Sequence, residues 1–191
     1  SMWGSQTFGL KPDILSCAKA LSSSYLPIAA VMINEKVYSG IRDNTGKLGT
    51  FGHGYTYSGH PVSAAVALET LKIYEERDIV SMVRQVAPAF QKRLHGFAAH
   101  PMVGEVRGTG LIGAVELVRD KKSREAFDPK LAVGLKTAAF CQQHGLITRA
   151  IMDSLAFCPP LIITEPQIEQ IFDRFAKALD DAYGWARQEG L

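Results

Sequence analysis

Apolar residues recur at helical spacing in four stretches of the chain and crowd into short runs between them. Pro61 stands where a first-turn proline favours a helix. Ala64, Ala67, Leu68 and Leu71 follow at three- and four-residue intervals, and Glu75-Glu76-Arg77 carries the helix into solvent. Asp78 is placed as the N-cap of a second helix with the stripe Ile79, Val83, Val86, Phe90, Leu94 and Phe97. Pro88 predicts a kink in it, and His100-Pro101 its end. Leu131 to His144 reads as a third helix with Gly145 as its C-cap. Thr164 with Glu165-Pro166 opens a fourth, amphipathic through Tyr183.

The short runs predict strands. Val31-Met32-Ile33 reads as a buried strand, and Glu35 to Ile41 as a brief helix after it. Arg42 to Gly54 is rich in Gly, Asp, Asn and Thr and reads as a loop, longer than usual and so of functional interest. Val103-Gly104-Glu105-Val106-Arg107-Gly108 leads through Gly110 into the strand Leu111 to Val118. Asp120 to Pro129 is a charged surface loop, and Leu146 to Ala150 and Ala156 to Ile163 are short strands. The second half thus reads strand, helix, strand, strand, helix, a compact α+β unit, with a boundary between Gly96 and Val103.

Composition narrows the classes. A formal net charge of +2 with no basic cluster gives no sign of nucleic-acid binding. No apolar stretch approaches membrane-spanning length, and no basic-then-apolar signal pattern opens the chain. Cys17, Cys141 and Cys158 are odd in number, far apart and without metal-type spacing, which favours a reducing cytoplasmic setting. Ser1-Met2-Trp3-Gly4-Ser5-Gln6 reads like the interior of a larger domain, so a fragment is expected.

Three places carry candidate chemistry. Lys19 lies in the largely apolar run Asp13-Ile14-Leu15-Ser16-Cys17-Ala18-Lys19-Ala20-Leu21. Desolvation lowers a lysine's pKa, and the neutral amine is the nucleophile that condenses with carbonyl compounds. The alternative is a lysine at a strand end with its head in water. His53-Gly54-Tyr55-Thr56-Tyr57-Ser58-Gly59-His60-Pro61 sets hydroxyls and glycines before a helix start, where free amides suit a phosphate. The alternative there is a capped helix and a tight turn. Arg149 interrupts an apolar strand and matches a carboxylate in bidentate fashion, or else makes a structural ion pair. For Arg107, beside Gly108, the structural pair is the favoured reading. An amine, a phosphate cradle and a carboxylate anchor together are what a pyridoxal phosphate enzyme requires.

These segments resemble those of the class III aminotransferases, in the omega-amino acid and amine–pyruvate branch. Lys11-Pro12-Asp13-Ile14-Leu15-Ser16-Cys17-Ala18-Lys19-Ala20-Leu21 is similar to the family's cofactor-lysine segment. Thr50-Phe51-Gly52-His53-Gly54-Tyr55-Thr56-Tyr57-Ser58-Gly59-His60-Pro61 is similar to its phosphate-loop segment. Val106-Arg107-Gly108-Thr109-Gly110-Leu111 and Pro159-Pro160-Leu161 match landmarks of its C-terminal domain.

The resemblance implies an α/β chain of the PLP-dependent transferase fold type I. Residues 1–98 would be the C-terminal part of the large, mainly parallel-sheet domain, and 99–191 the small α+β domain. It implies pyridoxal 5'-phosphate as cofactor and Lys19 as the Schiff-base lysine and proton shuttle. It also implies Thr56 on the cofactor phosphate of the other subunit of a homodimer, Tyr55 lining the same site, and Arg149 on a substrate carboxylate. The ornithine-like branch has an arginine where this chain has Ala156, so omega-amines or beta-alanine-type donors with pyruvate as acceptor are expected. The family's aspartate for the pyridine nitrogen would lie before Ser1, so residues 1–191 alone are not expected to catalyse. A related aminomutase or decarboxylase would use the same lysine and phosphate site. A non-catalytic dimerisation or ligand-binding module is the alternative of another class.

Overall fold

A computed structural model describes all residues, 1–191. The chain forms two compact units, Ser1–Val80 and Ser81–Leu191. In the first, a one-turn helix α1 (Gly4–Thr7) precedes strands β1 (Ile14–Ala18) and β2 (Ala29–Ile33), then helices α2 (Glu35–Leu48) and α3 (Pro61–Glu76). The two strands pair antiparallel, Ile14 opposite Ile33 and Ala18 opposite Ala29. The ten residues between them are too few for the crossover a parallel pair requires.

The β2 strand was expected to be buried and is not. Val31, Met32 and Ile33 are all exposed, because a two-stranded ribbon has no packed layer over its faces. The expected loop from Arg42 is also corrected: α2 continues to Leu48. It has no buried residue, and after Val37 and Ile41 no apolar position recurs until Leu48, so nothing marks its second half as helix. Its ends are nonetheless well marked. Asn34 Oδ1 accepts from the Val37 amide at 3.1 Å, and Gly49 ends the helix at φ 85°. Asn34 Nδ2 also donates to Asp13 Oδ1 at 2.6 Å, tying the start of α2 to the start of β1. In α3, Ala67 and Thr70 are buried, while Leu68 faces outward.

The second unit is built on α4 (Ile79–Gly96), whose first two residues belong to the preceding unit. Strands β3 (Val103–Thr109) and β4 (Ile112–Leu117), helix α5 (Val133–Gln143), strands β5 (Arg149–Ile151) and β6 (Ser154–Phe157), and helix α6 (Glu165–Gln188) follow. The sheet is antiparallel throughout, in the order β3-β4-β6-β5. Phe90 of α4 stacks on Phe172 of α6 at 5.1 Å, and Phe157 of β6 meets Phe175 edge-on at 4.8 Å. Each such fully buried side chain contributes roughly 1.5–3 kcal/mol. This packing joins α4 from Ser81 onward to the second compact unit. Asp78 does precede α4, but at φ 47° it lacks the extended backbone of an N-cap.

Close approach explains two glycines of the β3–β4 hairpin. Gly108 and Gly113 face each other across it. A Cβ on Gly113 would lie 2.2 Å from Leu94 Cδ2. Gln91 Nε2 donates to the carbonyls of Gly110 at 2.8 Å and Ile112 at 3.2 Å, fastening the turn to α4. The expected strands Leu146–Ala150 and Ala156–Ile163 are shorter and shifted. Met152, at φ 53°, turns the chain between β5 and β6, and Pro159-Pro160 lies beyond the end of β6. Asp153 in that turn caps α5 from outside, accepting from the Gly134 amide at 2.8 Å. Thr164 stands before α6, as expected, and forms a capping box with Gln167.

Candidate functional site

Lys19 follows β1 directly and opens a short 3₁₀ turn, Lys19–Leu21. Its φ is +55°, in the left-handed region that costs an L-residue about 1 kcal/mol. Ser23 and Ser24 share that region, at +47° and +64°. Such strain persists where surrounding bonds over-determine the backbone, and here they do. Ser22, buried, donates from Oγ to the Leu26 carbonyl at 2.6 Å. Tyr74 Oη of α3 donates to the Ala20 carbonyl at 2.8 Å and stands 2.7 Å from Ser23 Oγ. With its one proton on Ala20, the phenol accepts from Ser23. The residues after Lys19 are thereby locked, while the lysine side chain makes no hydrogen bond or ion pair. Lys19 is exposed at the end of β1, which matches the alternative weighed for it, a lysine at a strand end with its head in water. The open faces of the β1–β2 ribbon are the reason.

The Tyr55 to His60 segment is two turns leading into α3. The Ser58 amide donates to the Tyr55 carbonyl and the Tyr55 amide to Ser58 Oγ, both at 2.9 Å; His60 N–H reaches Tyr57 O at 3.2 Å. Ser58 Oγ accepts in this turn, and its hydroxyl proton makes no hydrogen bond. Thr56 Oγ1 carries no hydrogen bond, and Tyr55 is exposed, edge-on to His53 at 5.7 Å. His60 caps α3 without a side-chain bond and Pro61 has no amide, so the Val62 and Ser63 amides stay unpartnered. No hydrogen bond joins Thr56 or Tyr55 to Lys19.

Arg149 begins β5 in the second unit, exposed, with neither an ion pair nor a hydrogen bond. The structural ion pair weighed for it is absent. Arg107 holds that kind of pair, with Nη1 at 2.6 Å from Glu116 Oε2 and 3.5 Å from Glu105 Oε1. The hydrogen bond to Glu116 raises the arginine's already high pKa.

The sequence reading missed Tyr74. Its signal was present: Ala67, Thr70 and Tyr74 stand at i, i+3 and i+7 on one face of α3. No group of acidic, histidine and cysteine side chains is arranged to hold a metal. No helix is long and apolar enough to cross a membrane, and all three cysteines are free.

The family model for class III aminotransferases matches residues 1–179. The chain belongs to that family. Among curated relatives, gamma aminobutyrate transaminase 3, chloroplastic, of Solanum lycopersicum is 44% identical over 181 residues, covering 95% of this chain and 35% of that protein. Vanillin aminotransferase of Capsicum annuum is 42% identical over 181 residues, covering 95% and 39%. A solved transaminase with L-ala superposes with a TM-score of 0.90 at 52% identity, covering 96% of this chain and 43% of that one. The omega transaminase from Pseudomonas jessenii in complex with PMP gives 0.90 at 51%, covering 97% and 41%. The chain thus spans about a third of the length of these curated relatives. Its fold is that of the PLP-dependent transferases of type I, and class III aminotransferases depend on pyridoxal phosphate.

Proposed function

We propose that the protein is a transaminase of the omega-amino acid and amine branch, using pyridoxal 5'-phosphate and moving an amino group from an omega-amino acid or primary amine to a keto acid, pyruvate first among them. The observation that carries this reading is Lys19: an unpaired amine on a strained, cross-braced backbone, within a chain that matches the family over residues 1–179. The residues fit the cofactor. An amine stands free of competing carboxylates, and Thr56 offers an unbonded hydroxyl beside the unpartnered amides of α3.

When bound, pyridoxal phosphate supplies an aldehyde and an electron-withdrawing ring. Lys19 would hold the aldehyde carbon through its amine and, as a free amine, would take and return the proton at the donor's amine-bearing carbon. Thr56 Oγ1 would donate to a cofactor phosphate oxygen across a homodimer interface, and Tyr55 would line that shared site. Arg149 grips the carboxylate of an omega-amino acid or keto acid through paired N–H donors. In this reading residues 1–98 come from the large domain, and 99–191 form the small one, whose core also takes in α4. Ala156 leaves a methyl group and not a further guanidinium opposite Arg149, which suits donors that bring no second carboxylate. Borohydride reduction of the cofactor-loaded protein, followed by peptide mapping, tests the assignment of Lys19.

A further inference from the structure

The register of the second unit's sheet sets two arginines in one row. Arg107 of β3 opposes Ala114 of β4, Ala114 opposes Ala156 of β6, and Ala156 opposes Arg149 of β5. Directly opposed residues share a face, so both arginines stand on the same side of the sheet with only methyl groups between them. The neighbouring row places Glu105 opposite Glu116 and Glu116 opposite Ser154. Two carboxylates therefore lie on the face that carries Arg149.

An arginine on this face reaches two strands across. Arg107 demonstrates it: its Nη1 bonds Glu116 on β4, and its Nη2 comes within 3.4 Å of Ser154 Oγ on β6. Measured back from β5, the same reach takes Arg149 over β6 to Glu116. Strand spacing of about 4.8 Å makes the two spans alike. Yet Arg149 makes no ion pair, and Glu116 and Glu105 are both held by Arg107.

We propose that Arg107 is a positioning residue for Arg149: by holding Glu116, it prevents that carboxylate from capturing the Arg149 guanidinium, which stays open to a substrate carboxylate. The inference rests on the reading of Arg149 as the carboxylate anchor. Without Arg107, the freed Glu116 carboxylate competes with the ligand for Arg149 and repels its negative charge. An exposed pair of this kind shifts an equilibrium by roughly two- to fivefold.

The test uses full-length, cofactor-loaded protein and three probes. Propanoate binding is measured by calorimetry, and KM is measured for 3-aminopropanoate and for propylamine, which differ in the carboxylate. Arg107→Gln is expected to weaken propanoate and 3-aminopropanoate roughly two- to fivefold and to leave propylamine unchanged. Adding Glu116→Gln is expected to restore both, and Arg107→Lys to retain most of the wild-type affinity. A merely structural Arg107 would alter all three probes together and would not be rescued by neutralising Glu116. That result, or no change in any probe, overturns the proposal. Arg149→Ala is the separate control. Equal losses for 3-aminopropanoate and propylamine there would remove the underlying reading of Arg149.

Discussion

The phenol of Tyr74 donates to the carbonyl of Ala20 at 2.8 Å, one residue past Lys19. Through that bond, and the one it accepts from Ser23, α3 holds the left-handed stretch that displays the lysine. Tyr74→Phe removes both bonds and keeps the ring. We expect a loss of about 0.5–1.5 kcal/mol per bond in unfolding free energy, with faster amide exchange confined to residues 20–25. Unchanged exchange there would show that the brace is not needed.

Arg149 is the carboxylate anchor of the proposed reaction. Arg149→Ala should reduce turnover of carboxylate substrates by an amount equivalent to roughly 2–5 kcal/mol. Simple amines, which lack the group it grips, should be nearly unaffected. Steady-state kinetics on matched acid and amine donors decides the point.

How much of this was legible in the sequence followed from where each element finds its partners. The helices with faces buried inside the chain were read: α4 from the stripe that holds Phe90 and Leu94, and α6 from its Thr164 start and amphipathic pattern. The α2 helix buries nothing, so its second half passed for a loop despite the markers at Asn34 and Gly49. Lys19, Thr56, Tyr55 and Arg149 stood out as residue types in segments. Their exposure did not, because an apolar run says nothing about which layers cover it. Tyr74 went unread because its role depends on a tertiary bond, and the reach of Arg107 because it depends on sheet register.

His100 gives the second unit a pH response. Met102 N–H donates to its Nδ1 at 3.2 Å, leaving the proton on Nε2, which faces Asp180 at 3.4 Å. Burial pushes the imidazole below its ordinary 6.5, against the opposing pull of Asp180, with Lys121 adding to the depression. The unfolded chain then binds the proton more readily than the native one. Stability from this group is present above the unfolded value and lost as pH falls from there toward the folded value. Urea midpoints between about pH 7.5 and pH 5 should fall less in His100→Gln than in the parent. Equal slopes would contradict this.

Gly134 meets the β5–β6 turn at a distance no side chain tolerates. A Cβ there would lie 2.0 Å from the Met152 carbonyl oxygen and 2.8 Å from Asp153 Cα, both backbone atoms. Gly134→Ala is expected to cost at least about 1–3 kcal/mol, the range for overpacked sites. Chemical denaturation measures the loss.

Cys141 is fully buried, and desolvation pushes its thiol up to about 11. It should resist alkylation at about pH 8 in the folded protein and react once the chain is unfolded, since the thiolate is the nucleophile. Mass spectrometry of labelled peptides in the native state would show otherwise if the second unit opened readily.

The central claim is that Lys19 carries the cofactor. Its most direct measurement is peptide mapping by mass spectrometry after borohydride reduction of the full-length protein loaded with pyridoxal 5'-phosphate. The account predicts a phosphopyridoxyl group on the peptide containing Lys19, and no covalent cofactor in Lys19→Ala. A stoichiometric phosphopyridoxyl group on another lysine, or its retention in Lys19→Ala, would contradict it.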